Sequence, residues 1–227
     1  IYARTHKTGD VFPEASALLR KTLAQAEDNS VVVIVIGFST NMARLLASPP
    51  DDISPLDGKA LLAKKGKFVS IMAANFSPKK TLEYNVQKDP PSAEAFYRDC
   101  PIPMVFSSYE IGESVPYPWS SIQKDYKWAK DNPVVESYKL YEKGPHDRPT
   151  WDLCSVLYAV RPERADYYSL SKPGTVALTD ARGHTAFKPS ADGKHRLMQM
   201  SAAQKRQTLK ALVELSSRPR DKTPVQK

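Results

Sequence analysis

The stretch that decides the fold is Val31-Val32-Val33-Ile34-Val35-Ile36, followed directly by Gly37-Phe38-Ser39-Thr40-Asn41. An unbroken run of β-branched residues predicts a strand that is covered on both faces, as in a parallel sheet. The GFSTN segment predicts a tight strand-to-helix turn, capped by Ser39 or Thr40. It lacks the glycines and the lysine of a Walker loop or a dinucleotide fingerprint, so we expect no phosphate cradle here.

Helices and strands alternate around this stretch. An amphipathic helix is predicted before it, at 13–26, and the elements predicted after it are helices at 42–47 and 57–65, a strand at 68–73, a helix opened by Asp89, and a strand at 103–107. Short connections between alternating elements predict an α/β fold, a Rossmann-like, mostly parallel sheet with crossover helices. Ligands of such sheets bind beyond the carboxyl ends of the strands.

The second half of the chain has a different pattern. Residues 117–130 are aromatic-rich and predict an irregular segment, and a helix is predicted at 132–141. Short antiparallel strands are predicted at 167–170, 174–178, 184–187 and 195–200. A capping box at Ser201 to Gln204 opens a final helix. We predict one domain over residues 1–217 and a flexible basic tail over 218–227.

Composition limits the function classes. The chain has 227 residues and a formal net charge of +8. Its longest apolar run is the strand described above, far short of the ~18 residues of a membrane span, so we expect no membrane partner. The positive charge suggests nucleic-acid binding, but the basic residues are scattered, and solvated faces explain the charge better. The two cysteines, Cys100 and Cys154, show no zinc spacing; we expect free, buried thiols, with a disulfide left open.

A helix with a candidate site residue is predicted at Arg148-Pro149-Thr150-Trp151-Asp152-Leu153-Cys154-Ser155-Val156-Leu157-Tyr158-Ala159-Val160. Pro149 and Thr150 indicate its start. The apolar residues at helical spacing, which predict its buried face, are Leu153, Val156, Leu157 and Val160. Asp152 falls in the first turn, at the edge of this face, and a carboxylate there needs a partner. That partner is either the helix N-terminus or a metal ion.

Two further groups of polar residues are candidates. Glu83 and Asn85 are spaced by two, which places both side chains on one side of an extended segment and suits the hydroxyl groups of a polyol. An ordinary polar loop is the alternative. None of the histidines (His6, His146, His184, His195) falls in a Ser/His/Asp pattern. His146 and Asp147 are candidate site residues, or else surface or hinge residues.

Four segments, in order, resemble the inosine–uridine-preferring nucleoside hydrolase family. Residues 33–41 resemble the family's strand and Thr-Asn turn, and residues 68–74 resemble its next strand. Glu83-Tyr84-Asn85-Val86, with Asp89-Pro90 and an alanine-rich helix, is similar to the family's E-F-N…D-P-E-A-A segment. Trp151-Asp152 stands at the place of its His-Asp-Pro motif.

The resemblance implies an enzyme that hydrolyses the N-glycosidic bond of ribonucleosides with a Ca²⁺-bound water, giving ribose and base. By position, it implies that Asp152 and the backbone carbonyl of Ile36 bind Ca²⁺. It also implies that Glu83, Asn85 and Met72 bind the ribose of a small-molecule nucleoside. Whether the protein forms a homo-oligomer is left open. The alternative is a non-catalytic module that binds nucleosides or ribose with the same fold.

Two departures from the family pattern affect these expectations. The family's D-x-D-x-x-x-D-D loop, which supplies the catalytic base and most metal ligands, is absent; we expect it upstream of Ile1, together with any signal peptide. We therefore expect this chain to be inactive alone. We make no prediction of the cellular compartment. Trp151 replaces the histidine that protonates the leaving base in many members. Tryptophan can stack on a base, but protonation would need another route, through stacking, His146 or Asp147.

Overall fold

The computed structural model describes residues 9–78 and 81–219, so His6 and nearly all of the predicted basic tail lie outside the described residues. The helices are α1 Ala15–Gln25, α2 Thr40–Ala47, α3 Gly58–Lys65, α4 Tyr84–Lys88, α5 Pro90–Asp99, α6 Tyr109–Glu113, α7 Trp119–Lys124, α8 Pro133–Tyr141, α9 Trp151–Val160 and α10 Ala202–Ser217. The strands are β1 Val31–Val35, β2 Gly66–Met72, β3 Met104–Ser107, β4 Pro116–Tyr117, β5 Arg148–Pro149, β6 Ser169–Leu170, β7 Gly174–Leu178, β8 Thr185–Pro189 and β9 His195–Gln199.

The central sheet has the order β1-β2-β3-β9-β7-β8. Strands β1, β2, β3 and β9 run parallel, whereas β7 pairs antiparallel with β8 and β9, and β6 with β9. This confirms the predicted α/β fold with a mostly parallel sheet and short antiparallel strands. The C-terminal strands pair antiparallel with one another, as predicted. The sequence did not predict that β9 also pairs parallel with β3 and so joins these strands to the parallel part of the sheet.

The two faces of the sheet carry different cores, because side chains alternate along each strand. Val69 and Ile71 of β2, with Met104 and Phe106 of β3, pack under α1, α2, α3 and α5. The intervening Val105 packs on the opposite face, with side chains of α9 and α10. The helices therefore form a layer on each side of the sheet.

Strand β1 lies at the edge of the sheet, although its sequence predicts two covered faces. Within the described residues it pairs only with β2. Ile34 is 37% exposed and Ile36, directly after the strand, is 44% exposed. The prediction of a fully covered strand is therefore wrong for this structure, because nothing in the described part of the chain packs along its outer edge.

Several local predictions are also wrong, because tertiary contacts replace the expected caps. Ser39 makes no side-chain cap, and the Thr40 hydroxyl instead bonds the carboxylate of Asp89. Thr150 does not cap α9, since its hydroxyl donates to the carbonyl of Val115 at 2.7 Å. The segment predicted as irregular contains α7. The capping box of Ser201 is confirmed.

The buried face of α9 differs from the predicted one. Leu153 is 37% exposed and Val160 is 62% exposed. Leu157 is buried as predicted, and the other residues that α9 buries are Cys154, Ser155, Tyr158 and Ala159. Ser155 accounts for part of this difference in the buried face, because its carbonyl accepts a hydrogen bond at 2.8 Å from the hydroxyl of Ser70 on β2. Both cysteines are free and buried, as predicted.

We expect the substitution Gly112→Ala to lower the free energy of unfolding by about 2 kcal/mol, because an added methyl group overpacks a tight contact. A Cβ at Gly112 would lie 2.5 Å from the backbone nitrogen of Trp151. Gly37→Ala is the matched control, since a Cβ there meets no atom within 4 Å; it should change stability by less than about 0.5 kcal/mol. Denaturant unfolding measures both, and equal stability of the two variants would contradict the packing argument.

Candidate functional site

The predicted site residues meet at the carboxyl ends of the first strands. Val35 pairs with Ile71 and Met72 pairs with Ser107. Ile36, the next residue after β1, therefore lies at the same edge of the sheet as Met72. This edge is the position at which ligands bind in open α/β sheets.

Met72 and Asn85 are in direct contact. The side-chain amide of Asn85 donates to the backbone carbonyl of Met72 at 3.1 Å and lies 3.3 Å from its sulfur. Because the amide nitrogen is used in this way, the Asn85 side-chain oxygen remains as an acceptor for a ligand. The structure thus brings together two of the residues predicted to bind ribose.

Glu83 and Asn85 do not lie on an extended segment, so the predicted spacing argument is wrong. Glu83 is the N-cap of α4, and its carboxylate accepts the backbone N–H groups of Asn85 at 2.8 Å and Val86 at 3.1 Å. These bonds close a helical turn at the start of α4. The turn, rather than strand alternation, determines where the two side chains lie.

The carboxyl group of Glu83 is almost fully buried, with 3% of the residue exposed. Burial raises its pKa, while hydrogen bonds from the backbone of Asn85, Val86 and Ala74 act in the opposite direction. The negative charge of Asp152 raises the pKa of Glu83 further, so the two carboxylates interact electrostatically. Like charges this close disfavour ionisation of both groups unless a cationic species lies between them.

Ala74 connects Glu83 to the next strand. It has a left-handed backbone with φ of 73°, which is uncommon for a residue other than glycine. Its N–H contributes to lowering the pKa of Glu83, and its carbonyl accepts the N–H of Tyr109 at 2.9 Å. The strained residue therefore links the ends of β2 and β3 around the carboxylate.

Asp152 lies in the first turn of α9, as predicted. Its side chain is accessible to solvent, yet the surrounding protein desolvates the carboxyl group enough to raise its pKa. No hydrogen bond to this carboxylate occurs among the described residues. The structure shows no side-chain contact that would make Asp152 a purely local capping residue.

Trp151 is anchored beside Asp152. Its indole N–H donates to the carbonyl of Tyr109 at 3.0 Å, and its ring centre lies 5.4 Å from that of Tyr109. The guanidinium of Arg148 lies 5.7 Å from the Trp151 ring centre. The indole is only partly buried, so part of the ring remains available for stacking.

His146 and Asp147 make local contacts. The His146 ring stacks on Tyr138 with ring centres 5.6 Å apart, and its Nδ1 lies 3.0 Å from the carbonyl of Gly144. The Asp147 carboxylate accepts the N–H of Trp119 at 2.8 Å. Both residues thus support the α7–α8 segment, and neither lines the cavity beside Glu83.

That cavity, with a volume of about 570 Å³, was not predicted from the sequence. Glu83 and the loop after β2 form one side, and the turn between β7 and β8 forms the other. The turn contributes Asp180 and His184, and its position is set by Thr185, whose hydroxyl accepts the N–H of Asn75 and donates to its carbonyl, both at 3.2 Å. The sequence signal was an acid and a histidine four residues apart across a predicted tight turn.

The described residues do not by themselves form a calcium site. Ca²⁺ takes six to eight oxygen ligands, whereas Asp152 and the carbonyl of Ile36 would supply one carboxylate and one backbone oxygen. Over residues 9–78 and 81–219 there is no group of three or more His, Cys, Asp or Glu residues that could hold a metal ion. Asp152 remains suited to bind a cation. Burial raises its pKa, and among the described residues no hydrogen-bond donor contacts its carboxylate.

Comparison with solved structures shows the same fold in several nucleoside hydrolases. A plant nucleoside hydrolase is 16% identical in sequence and aligns with a TM-score of 0.66. The alignment covers 95% of this chain and 71% of the plant protein's chain. An inosine-guanosine nucleoside hydrolase is 20% identical with a TM-score of 0.66, over 91% and 68%. An inosine-uridine preferring nucleoside hydrolase from Bacillus anthracis is 18% identical with a TM-score of 0.59, over 90% and 66%.

The family assignment comes from the sequence itself. A search of curated proteins gave no significant match. The family model described as inosine-uridine preferring nucleoside hydrolase matches residues 5–217, which is nearly the whole chain. The chain belongs to the inosine-uridine preferring nucleoside hydrolase family.

Proposed function

We propose that this protein hydrolyses the N-glycosidic bond of ribonucleosides, converting a nucleoside and water to ribose and a free base. Family membership supports this reaction class. The observation that carries the proposal is the hydrogen-bonded group of Glu83, Asn85 and Met72 at the carboxyl end of β2. A buried carboxylate and an oriented amide are suited to the vicinal hydroxyl groups of a sugar.

The proposed roles follow from the charge of each group and from the hydrogen-bonding capacity that its contacts within the protein leave unused. The Glu83 carboxylate and the Asn85 side-chain oxygen accept hydrogen bonds from ribose hydroxyls. Met72 supports Asn85 and contributes an apolar wall. The anomeric carbon becomes positive as the base departs, and the negative charges of Glu83 and Asp152 stabilise that oxocarbenium-like state. Trp151 stacks on the nucleobase.

Calcium is a further proposal, since the family is generally metal-dependent. Asp152 and the carbonyl of Ile36 would hold the ion on this side of the site, and the remaining ligands would come from outside the described residues. A bound Ca²⁺ supplies a Lewis acid that orients a diol and acidifies a water molecule. Because the described ligands are too few, we assign no step of the reaction to the ion.

A non-catalytic nucleoside-binding or ribose-binding module is the second candidate. The observation that favours it is the lack, within the described residues, of a metal-holding group. The two candidates share the ribose contacts and differ in turnover. Ribose release by the full-length protein from a panel of purine and pyrimidine nucleosides, with Ca²⁺ present, distinguishes them: binding without release favours the module.

The ligand class and the domain organisation belong to the same proposal. Nucleoside hydrolases act on small-molecule nucleosides. None of the helices in residues 9–78 and 81–219 has both the length and the apolar character that a membrane crossing requires. We propose that residues 1–217 act as one domain, which the continuous sheet from β1 to β8 supports.

We expect Glu83→Gln and Asn85→Ala each to reduce kcat/KM for nucleosides by roughly 100-fold, the effect of losing about 3 kcal/mol of interaction with a bound hydroxyl group. Tyr84→Phe is the matched control, because Tyr84 lies between them on α4 and is 60% exposed; its activity should stay near that of the wild type. Steady-state kinetics measures all three. Equal losses in the three variants would indicate a general effect on α4 and contradict the ribose contacts.

We expect Asp152→Asn to weaken Ca²⁺ binding at least about tenfold, because a charged ligand is replaced by a neutral one. Isothermal titration with CaCl₂ measures this change. Asp180→Asn is the control, since Asp180 lies on the β7–β8 turn rather than on α9. Unchanged Ca²⁺ affinity in Asp152→Asn would refute the metal role of Asp152.

Glu83 predicts a specific dependence of stability on pH. Its pKa in the folded chain is raised above the ordinary value of 4.5. Below 4.5 the group is protonated in the folded and unfolded chains, and the stability gained by burying the neutral form is fully present. As the pH rises through the raised pKa, this stability is lost. The free energy of unfolding should therefore fall relative to that of Glu83→Gln over this range; a constant difference between the two would contradict the raised pKa.

A further inference from the structure

The leaving nucleobase needs a proton donor, and the expected position does not supply one. Trp151 has no acidic proton in the useful range, and His146 and Asp147 are engaged in the α7–α8 segment. The cavity beside Glu83 is lined by one imidazole, that of His184. We therefore considered what holds this side chain and what its free nitrogen can reach.

His184 is oriented by a carboxylate. Its Nδ1 lies 2.7 Å from Oδ2 of Asp180, and a carboxylate can only accept, so the Nδ1 proton points to Asp180. The other Asp180 oxygen accepts the N–H groups of Arg182 at 3.0 Å and His184 at 3.2 Å. The hydrogen bond from His184 lowers the pKa of Asp180 and keeps it ionised. No hydrogen bond to His184 Nε2 occurs among the described residues.

The turn that carries His184 contacts two segments that adjoin the proposed ribose-binding residues. Gly183 packs against α4, since a Cβ there would lie 3.1 Å from the Val86 side chain. Thr185 is doubly hydrogen-bonded to Asn75 in the loop after β2. The imidazole is thus held at a defined position relative to the end of β2 and the start of α4, the two elements that place Met72, Glu83 and Asn85.

We propose that the cavity beside Glu83 receives the edge of the nucleobase and that His184 is the catalytic residue that protonates it. The inference rests on the proposed function. The bond between the anomeric carbon and the base nitrogen breaks, and its electron pair stays on the base. His184 Nε2 first takes a proton from solvent and gives it to a ring nitrogen of the base. Water oxygen forms the new bond to the anomeric carbon, and the proton that this water loses returns to solvent, which balances the proton that His184 took up. Asp180 is a positioning residue, which holds the ring through its hydrogen bond with Nδ1.

The remaining described histidine outside these groups does not compete for this role. His195 is 4% exposed, and its Nδ1 accepts the N–H of Val176 at 2.8 Å. Burial lowers its pKa to about 4, so it is neutral at physiological pH. Its ring packs against Phe106 in the core. His195 is therefore a structural residue between β9 and β7.

The test compares two leaving groups in the full-length protein with Ca²⁺ present. Inosine needs protonation of its base, whereas the nitrophenolate of para-nitrophenyl riboside leaves without it. We expect His184→Gln to lower kcat for inosine at least about 100-fold, within the range of general acid catalysis, and to change kcat for the nitrophenyl substrate less than about threefold. Asp180→Asn should show the same pattern with a smaller loss.

The outcomes separate this inference from the proposed function. If His184→Gln hydrolyses the nitrophenyl substrate and its inosine kinetics are unchanged, the role of His184 is overturned. The role is also overturned if His146→Gln, rather than His184→Gln, loses kcat for inosine but not for the nitrophenyl substrate. Release from neither substrate by the wild type would overturn the proposed function. The cavity is then tested by NMR: added hypoxanthine should shift the His184 side-chain resonances, and unchanged resonances at saturating base would overturn the nucleobase site.

Discussion

The buried carboxylate of Glu83 is the interaction on which the site depends. It accepts the N–H groups of Asn85 and Val86 at the start of α4, and the backbone N–H of Ala74, just after β2, also acts to lower its pKa. Burying an ionised group is costly unless hydrogen bonds compensate for lost water, so these donors must stay in place. The carboxylate thereby connects the edge of the sheet to α4, the helix that carries the proposed ribose-binding residue Asn85.

Asp152 adds a second negative charge near the first, and the electrostatics of the pair bear on function. Burial raises the pKa of each carboxyl group, and the Asp152 charge also raises that of Glu83. A positively charged species between them, whether a sugar cation in the transition state or a metal ion, would be stabilised by both. The geometry therefore favours a reaction that develops positive charge, as N-glycosidic cleavage does.

The C-terminal strands complete the site from the other side. The β7–β8 turn reaches the loop after β2 through Thr185 and Asn75, and it encloses the cavity beside Glu83. Glu83 from the parallel half and the imidazole of His184 from the antiparallel half thus line one cavity. The strands of both halves also belong to one sheet, which supports the proposal of a single domain.

The sequence by itself determined the element order, the α/β class, the capping box of Ser201 and the family, because these depend on local periodicity and on residues in a fixed order. The edge position of β1, the helical turn at Glu83 and the buried face of α9 were decided only by tertiary structure. A β-branched run specifies a strand but not its neighbours, and a polar side chain bonds whichever donor the fold brings to it. His184 and Asp180 show this most clearly: they are close in sequence, yet only the pairing of Thr185 with Asn75 places them beside Glu83.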